Sequence, residues 1–362
     1  MPATDATEAG HWLRLALLPG VGNLTLRRLL TEFGSPENVF AATPSALRNF
    51  VAAGVATSIA AGGNAQGAQT ALAWLAEPAN HIVTFADAQY PRLLLQTADP
   101  PPLLYVKGRL DLLNSPSLAI VGSRNSSAQG AENAAEFART LSAAGITIIS
   151  GLALGIDAAA HRGGLDGPGS SIALVGTGLD VVYPARNKAL AHELAAKGAL
   201  ISEYALGTPP LAANFPRRNR LISGMSLGCL VVEAALQSGS LITARFANEQ
   251  GRDVFALPGS IHSPLAKGCH LLIKQGAKLV DNANDILDEL RFTGAAAPAR
   301  ATPAVDADEG SLLEHLGHSP CDLDVLCARA KLGADVAAGV LLRLELKGLV
   351  ESLPGARYQR VH

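Results

Sequence analysis

Five short apolar runs in the middle of this 362-residue chain each end in a turn of small residues. The runs occupy residues 118–121, 146–149, 172–175, 230–233 and 254–257, and their turns begin Gly-Ser-Arg, Ser-Gly-Leu, Gly-Thr-Gly, Ala-Ala-Leu and Pro-Gly-Ser. This order is typical of an α/β fold with a doubly wound, Rossmann-like parallel sheet, whose ligands bind where the strands end. Free N–H groups at helix N-termini attract anions, so the pattern predicts a phosphate-binding surface.

The first of these turns argues against an ordinary dinucleotide site. No Gly-x-Gly-x-x-Gly follows residues 118–121, and residues 147–151 read Thr-Ile-Ile-Ser-Gly where such a site would need an acidic residue. We therefore expect no NAD and no other cofactor. Arg124 in this turn instead offers a permanently charged guanidinium that can hold a phosphate through two hydrogen bonds.

Eight longer segments resemble the DprA/Smf family of DNA-processing proteins. They are IVGSR (120–124), SGLALGIDAAAH (150–161), GTGLDVVYPARN (176–187), ISE (201–203), FPRRNRLISGMS (215–226), VVEAALQSGSLITA (231–244), GRDVFALPG (251–259) and GCHLLIKQGA (268–277). The resemblance implies a cytoplasmic homodimer without catalytic activity. It also implies that the protein binds and protects single-stranded DNA and loads the RecA recombinase in natural transformation and homologous recombination.

The turns and the resemblance together define a predicted line of phosphate contacts. Its members are Gly122, Ser123, Arg124, Ser150, Gly151, Lys188, Arg218, Asn219, Arg220, Ser238, Gly239 and Ser240. Matching motifs carry Arg124 and Lys188 over from the family as the strongest contacts. Phosphate contacts hold little sequence information, so binding should tolerate any sequence. Aromatic residues make up only 4% of the chain, so we expect base stacking, for which Phe215 and Tyr183 are the candidates, to contribute little.

The net charge of −2 does not exclude a nucleic-acid ligand. Arg217, Arg218 and Arg220 lie within four positions of one another, whereas acidic residues gather at 281–289 and 306–309. A basic strip on one face of a nearly neutral protein can still follow a phosphate backbone.

The segment GCHLLIKQGAKLV, residues 268–280, is the predicted dimer interface. In the family that it resembles, the corresponding helix and strand form the interface, and here they carry His270, Ile273 and Leu279. Residues three apart share a helix face, so His270 and Ile273 can meet a two-fold mate together. The alternative is that Ile273 and Leu279 belong to the core.

The sequence pattern of the N-terminal residues 1–80 predicts a helical domain. Leucines at residues 15–30 interrupted by Pro-Gly-Val-Gly at 19–22 favour two helices joined by a glycine hairpin, which looks like a helix-hairpin-helix (SAM-like) element. A plain helical corner explains the pattern equally well. The glycine-rich residues 54–67 suggest a loop, and residues 81–108 predict short strands that lead into the sheet.

The C-terminal part predicts a linker and a winged helix. The Ala- and Pro-rich residues 292–310 have almost no bulky apolar side chains and predict a linker, which sets the Rossmann-like domain at residues 81–291 and the winged helix at 311–362. Helical patterns at 311–316, 323–330 and 335–347 precede a hairpin around Pro354-Gly355. The third helix has few basic residues, so we expect it to contact protein rather than DNA.

Two enzymatic alternatives remain at this point. A Rossmann-like nucleoside-monophosphate phosphoribohydrolase has a similar turn at residues 238–243, but Phe246 stands where that enzyme needs a glutamate, and only Glu233 lies nearby. A two-metal nuclease would need Asp157, Asp180 and Glu203 to converge. Helix capping, turn formation and packing are simpler roles for Asp157, Asp180 and His161, respectively.

Composition predicts a cytoplasmic protein without a membrane segment. No run of eighteen apolar residues and no N-terminal signal pattern is present. The four cysteines show no CxxC spacing, so we expect buried thiols and no metal site.

Overall fold

A computed structural model describes residues 6–292, 305–317 and 320–360 of the chain. Six helices come first: α1 (Ala6–Ala16), α2 (Asn23–Phe33), α3 (Pro36–Ala41), α4 (Pro44–Leu47), α5 (Ala53–Ala60) and α6 (Ala65–Trp74). The predicted glycine hairpin joins α1 to α2, with Gly20 at a φ of 89°. The predicted loop over residues 54–67 is wrong for most of its length, because α5 covers residues 54–60 and α6 begins at Ala65. Alanine-rich sequence favours a helix, and this one buries Ala56 and Ile59.

Nine strands then form one sheet. They are β1 (Asn80–Thr84), β2 (Leu103–Gly108), β3 (Ser117–Val121), β4 (Thr147–Ser150), β5 (Ser171–Leu174), β6 (Ala199–Ser202), β7 (Gly228–Val231), β8 (Asp253–Ala256) and β9 (Lys278–Leu279). Their order is β1-β2-β6-β5-β4-β3-β7-β8-β9. β3 to β9 are parallel, whereas β1 and β2 pair antiparallel at one edge. The chain order reverses between β3 and β7, which is where ligands bind in such sheets.

Helices cover both faces of the sheet. They are α7 (Arg92–Leu95), α8 (Ala128–Ala143), α9 (Ile156–Leu165), α10 (Lys188–Lys197), α11 (Asn214–Gly224), α12 (Ser240–Glu249), α13 (Lys267–Lys274) and α14 (Ala283–Glu289). Alternation along β3 sends Leu118 and Ile120 into the cluster under α8 and α9, and Ala119 and Val121 into the opposite cluster. The predicted α/β Rossmann-like fold is confirmed.

The C-terminal residues form the predicted winged helix. Its elements are α15 (Ala307–Leu316), β10 (Cys321–Asp322), α16 (Leu323–Ala330), α17 (Ala334–Leu346), β11 (Val350–Leu353) and β12 (Arg357–Arg360). Most of the predicted linker lies outside the described residues, and α15 begins at Ala307 within its span. Three of the cysteines are buried and Cys327 is half-buried.

His161 on α9 is fully buried between β4 and β5. The Ser171 hydroxyl donates to the Ile148 carbonyl (2.8 Å) and therefore accepts from His161 Nδ1 (2.8 Å). His161 Nε2 then accepts from the Leu152 N–H (3.2 Å). Burial lowers the pKa of His161 to about 3, with smaller effects from two nearby arginines. The ring is thus a neutral packing element, as one of the sequence-based alternatives held.

The buried histidine predicts acid destabilisation. The unfolded chain protonates His161 below about pH 6.5 and the folded chain does not, so stability falls as the pH drops towards 3. Between pH 7.5 and pH 5 one such group removes about 2 kcal/mol from the free energy of unfolding. Urea unfolding of the wild type and of His161→Gln should show this extra pH dependence in the wild type alone. Identical pH profiles would contradict it.

Candidate nucleic-acid interface

A cavity of about 510 Å³ opens at the carboxyl ends of β3 and β7, where the strand order reverses. It is lined by Val121, Gly122, Ser123, Arg124, Asn125, Ala153, Asp157, Phe215, Pro216, Arg218, Asn219, Ile222, Ala235, Gln237, Ser238, Gly239, Ser240, Ile242 and Thr243. The fold therefore brings together eight of the twelve predicted contacts. Ser150, Gly151, Lys188 and Arg220 do not line it.

The first turn owes its shape to backbone bonds on both sides. The Ser123 N–H donates to the Glu233 carbonyl (2.8 Å), and the Ser123 carbonyl accepts from the Ile156 N–H (3.1 Å). A Cβ at Gly122 would lie 2.6 Å from an Ile156 side-chain carbon, so this position excludes any larger residue. The turn holds the next residue, Arg124, exposed at the rim of the cavity.

The N-terminus of α8 is not a free anion site. The helix begins at Ala128, and the Ser127 hydroxyl caps it by accepting from the Gly130 N–H (2.9 Å). Both oxygens of Glu233 bind Ser127, one at its N–H (3.0 Å) and one at its hydroxyl (2.6 Å). The carboxylate of Glu233 thus occupies the start of α8, where the sequence pattern predicted a phosphate.

The second turn, residues 151–153, also uses its polar backbone groups internally. Asp157 accepts from the N–H groups of Gly151 (3.1 Å) and Ala153 (3.3 Å), and His161 accepts from that of Leu152. Asn187 donates to the Leu152 and Ala153 carbonyls, at 2.9 and 3.1 Å. We call this set the loop clamp.

Ser150 and Gly151 consequently need correction as phosphate contacts. The Ser150 side chain is fully buried and its hydroxyl donates to the Ile120 carbonyl (2.6 Å). Gly151 is buried, and a Cβ there would lie 2.6 Å from Arg218 and 2.8 Å from Asp157. Burial and internal bonding leave neither residue a group to offer a strand of DNA.

Arg218 contributes buried charge rather than an exposed contact. Only 4% of the residue is exposed, and its Nη1 donates to the carbonyls of Gly151 (2.9 Å) and Leu174. Burial lowers its pKa to about 10, which leaves the guanidinium protonated at neutral pH. Burial raises the pKa of Asp157, and the charge of Arg218 opposes that shift. Arg218 joins the loop clamp and still lines the cavity.

Arg220 also needs correction as a phosphate contact, whereas Lys188 stays a predicted contact outside the cavity. The Arg220 side chain is 12% exposed and donates to Glu203 (2.6 Å), with Asp99 at 3.4 Å. This ion pair directs it away from the cavity. Lys188 is exposed at the first position of α10, but it does not line the cavity.

The start of α12 supplies small polar groups. The hydroxyls of Ser238 and Ser240 lie 2.7 Å apart, and Asn219 donates to the Gly239 carbonyl at 3.4 Å. Gly239 is exposed, and a Cβ there would meet no atom within 4 Å. A backbone or a phosphate can therefore approach this turn closely.

An aromatic pair stands beside Arg124. The Arg124 Cζ lies 5.9 Å from the centroid of the Phe215 ring, and Tyr183, 45% exposed, lies 5.5 Å from Phe215. The two stacking candidates of the sequence therefore lie together and next to a predicted phosphate contact. Asn125, Gln237 and Thr243 also line the cavity but were not predicted, and their only sequence signal is their position beside the predicted turns.

The carboxylates of the enzymatic alternatives are each engaged elsewhere. Asp157 belongs to the loop clamp, Asp180 accepts from the Gly207 N–H (2.8 Å), and Glu203 pairs with Arg220. Glu233 binds Ser127. Within the described residues no three His, Cys, Asp or Glu side chains gather in a metal-binding group.

The predicted interface residues lie at the far edge of the sheet, on α13 and β9. His270, Ile273 and Leu279 line a second cavity of about 610 Å³ with an apolar wall. Leu279 is 47% exposed, whereas Ile273 also packs against the core. Exposed leucine and isoleucine side chains surround the cavity, namely Leu236, Ile261 and Leu271.

Among the helices that the structure describes, none is both long and apolar enough to span a membrane.

Comparison with known proteins gives two family matches. The family described as DNA recombination-mediator protein A matches residues 81–291, and the DprA winged helix domain matches residues 296–356. Protein Smf of Escherichia coli K12 is 46% identical over 296 residues, which cover 79% of each chain. Protein Smf of Synechocystis is 37% identical over 98% of this chain and 99% of that one.

Solved structures agree with these matches. The X-ray structure of DNA processing protein A from Streptococcus pneumoniae is similar with a TM-score of 0.67 and 38% identity, covering 80% of this chain and 99% of that one. A Helicobacter pylori DNA processing protein A, described by its single-stranded DNA binding mode, gives a TM-score of 0.54 and 30% identity over 59% of this chain and 97% of that one. The cavity at the strand switch thus lies in the part of the chain that carries the family match, and the chain belongs to the DprA/Smf family of DNA-processing proteins.

Proposed function

We propose that the protein binds single-stranded DNA across the cavity between β3 and β7. The observation that carries the proposal is the exposed Arg124 beside Phe215, with the hydroxyl-bearing turn at residues 238–240 and the buried Arg218 lining the same cavity. The charged and hydroxyl groups can hold phosphates and the ring offers a face to a base, which suits a single strand and no particular sequence. The Helicobacter pylori relative, described as binding single-stranded DNA, supports the choice of ligand.

The proposed contact set is smaller than the sequence-based one. It consists of Gly122, Ser123, Arg124, Asn125, Phe215, Asn219, Ser238, Gly239 and Ser240, with Arg218 as a buried positive charge. Lys188 and Tyr183 extend the path beyond the cavity. Bound in this way in the cytoplasm, the strand is protected and can be passed to the RecA recombinase in transformation and recombination.

We propose no catalytic activity. A hydrolase would need Glu233 free to act on substrate, and both of its oxygens bind the cap of α8. Incubation with nucleoside monophosphates, or with DNA and magnesium, should yield no free base and no shortened strand by chromatography. A product that disappears in Glu233→Gln would restore the phosphoribohydrolase alternative.

Arg124 should contribute more to the DNA-binding free energy than any other single residue. Arg124→Ala removes a charged hydrogen-bonding group and should cost about 1.5 to 3 kcal/mol in affinity for an oligothymidine. It should also reduce the slope of log affinity against log salt by about 0.7, since one phosphate loses its partner. Fluorescence anisotropy at several salt concentrations measures both.

The matched control is Arg162→Ala, which removes an exposed arginine on α9 away from the cavity. It should leave both quantities close to the wild-type values. Equal losses in the two variants would mean that overall charge, and not this site, holds the DNA.

Substitutions at Phe215 distinguish base stacking from charge as the source of affinity. Phe215→Ala should weaken binding by about 1 to 3 kcal/mol, the usual loss when one stacked base is released, and leave the salt slope unchanged. Phe215→Leu keeps apolar bulk without a ring face and should behave like the alanine variant. Wild-type affinity in Phe215→Leu would show that the ring only fills space.

The dimer should form through α13 and β9. Leu279 is half-exposed on the edge strand β9, so Leu279→Glu should yield a folded monomer that binds DNA more weakly, because two linked sites bind better than one. Ile273→Glu should do the same. Light scattering reports the mass, with Leu95→Glu, an exposed leucine on α7, as the control. A dimer that persists in Leu279→Glu even at the lowest protein concentrations would place the interface elsewhere.

A further inference from the structure

Helix α17 of the winged helix presents an apolar face to solvent. Its inward residues Ala337, Val340, Leu341 and Leu344 are buried in the winged-helix core. Its outward face carries Val336, Leu342 and Leu346, which are 51%, 58% and 81% exposed. Positions 336, 339, 342 and 346 fall on one side of an α-helix. No residue in the described parts of the chain covers that side.

Gly339 lies at the centre of this face. It is exposed, and a Cβ built there would meet no atom within 4 Å. Glycine destabilises a helix interior relative to alanine, so nothing in the isolated fold explains this residue. A second helix that crosses here would explain it, because a missing side chain lets two backbones approach closely.

The residues around Gly339 are arranged symmetrically. Val336 and Leu342 lie three positions to either side, and Asp335 and Arg343 lie four positions to either side. Two antiparallel copies crossing at Gly339 would set each acidic first turn level with the basic last turn of the other copy. A two-fold interface must be complementary to itself in this way.

We propose that α17 is a self-association surface, on which two copies of this chain pack antiparallel around Gly339. The face suits DNA poorly: its one basic residue, Arg343, lies 3.7 Å from Glu309 of its own chain, and its centre is apolar. The contact is small and hence weak in free solution, and several copies held on one strand would strengthen it. It is separate from the edge contact of α13 and β9, and both together would link copies into open chains.

The test uses the full chain carrying Leu279→Glu, so that the edge contact does not contribute. Light scattering over rising protein concentration should show a monomer at low concentration that passes to a dimer only at high concentration, because the α17 contact is weak. Adding Gly339→Leu should abolish the dimer with no fall in melting temperature, since the added side chain fills only space that a partner would occupy. Adding Leu342→Glu should abolish it as well.

The matched control adds Val325→Glu, which charges an exposed apolar residue of α16 outside this face and should leave the dimer intact. A monomer at every concentration in the Leu279→Glu background, or a dimer that survives Gly339→Leu, overturns the proposal. If Arg343→Ala lowers oligothymidine affinity while association is unchanged, α17 is a DNA surface and the proposal also fails. None of these outcomes bears on the cavity at β3 and β7, which Arg124→Ala tests separately.

Discussion

The site depends on one buried guanidinium. Arg218 donates to carbonyls that follow β4 and end β5, and so it ties α11 to the ends of two neighbouring strands. Because α11 also carries Phe215 and Asn219, this tie helps to place both residues at the cavity. A buried arginine is costly without partners, and here carbonyls and the nearby charge of Asp157 offset that cost. Arg218 therefore keeps its positive charge at the cavity, where that charge can attract an anion.

The proposed binding surface is made of side chains more than of backbone amides. Folds of this class often bind phosphate on free N–H groups at helix starts. Here Glu233 occupies the start of α8, and the loop clamp takes the N–H groups of residues 151–153. Backbone bonds to Glu233 and Ile156 fix the first turn, after which Arg124 lines the cavity. A site built from an exposed cation, hydroxyls and a ring face accepts many backbone positions, which suits a ligand of irregular shape.

The strands could be predicted from sequence, because fully buried parallel strands leave continuous apolar runs that end in small-residue turns, whereas the point at which their order reverses came from the structure. Burial of the arginines could not. Arg217, Arg218 and Arg220 look alike along the chain, yet one is exposed, one is clamped to carbonyls and one pairs with Glu203. Which outcome applies depends on carbonyls and carboxylates from distant segments. The same limit applies to Ser150 and Gly151: their motif predicts the turn, but not the internal hydrogen bonds that occupy its polar groups. Helix α5 was missed because the glycines of residues 54–67 were given more weight than the helix propensity of its alanines.

The central claim is that a single strand lies across the cavity between β3 and β7. Photo-crosslinking of an oligothymidine containing 4-thiothymidine, followed by peptide mass spectrometry, tests it most directly. The account predicts crosslinks in residues 214–220 and at the flanking turns 122–125 and 237–240, lost in the presence of excess unmodified oligothymidine. Crosslinks confined to the N-terminal helices or to the winged helix, with none at these turns, would contradict it.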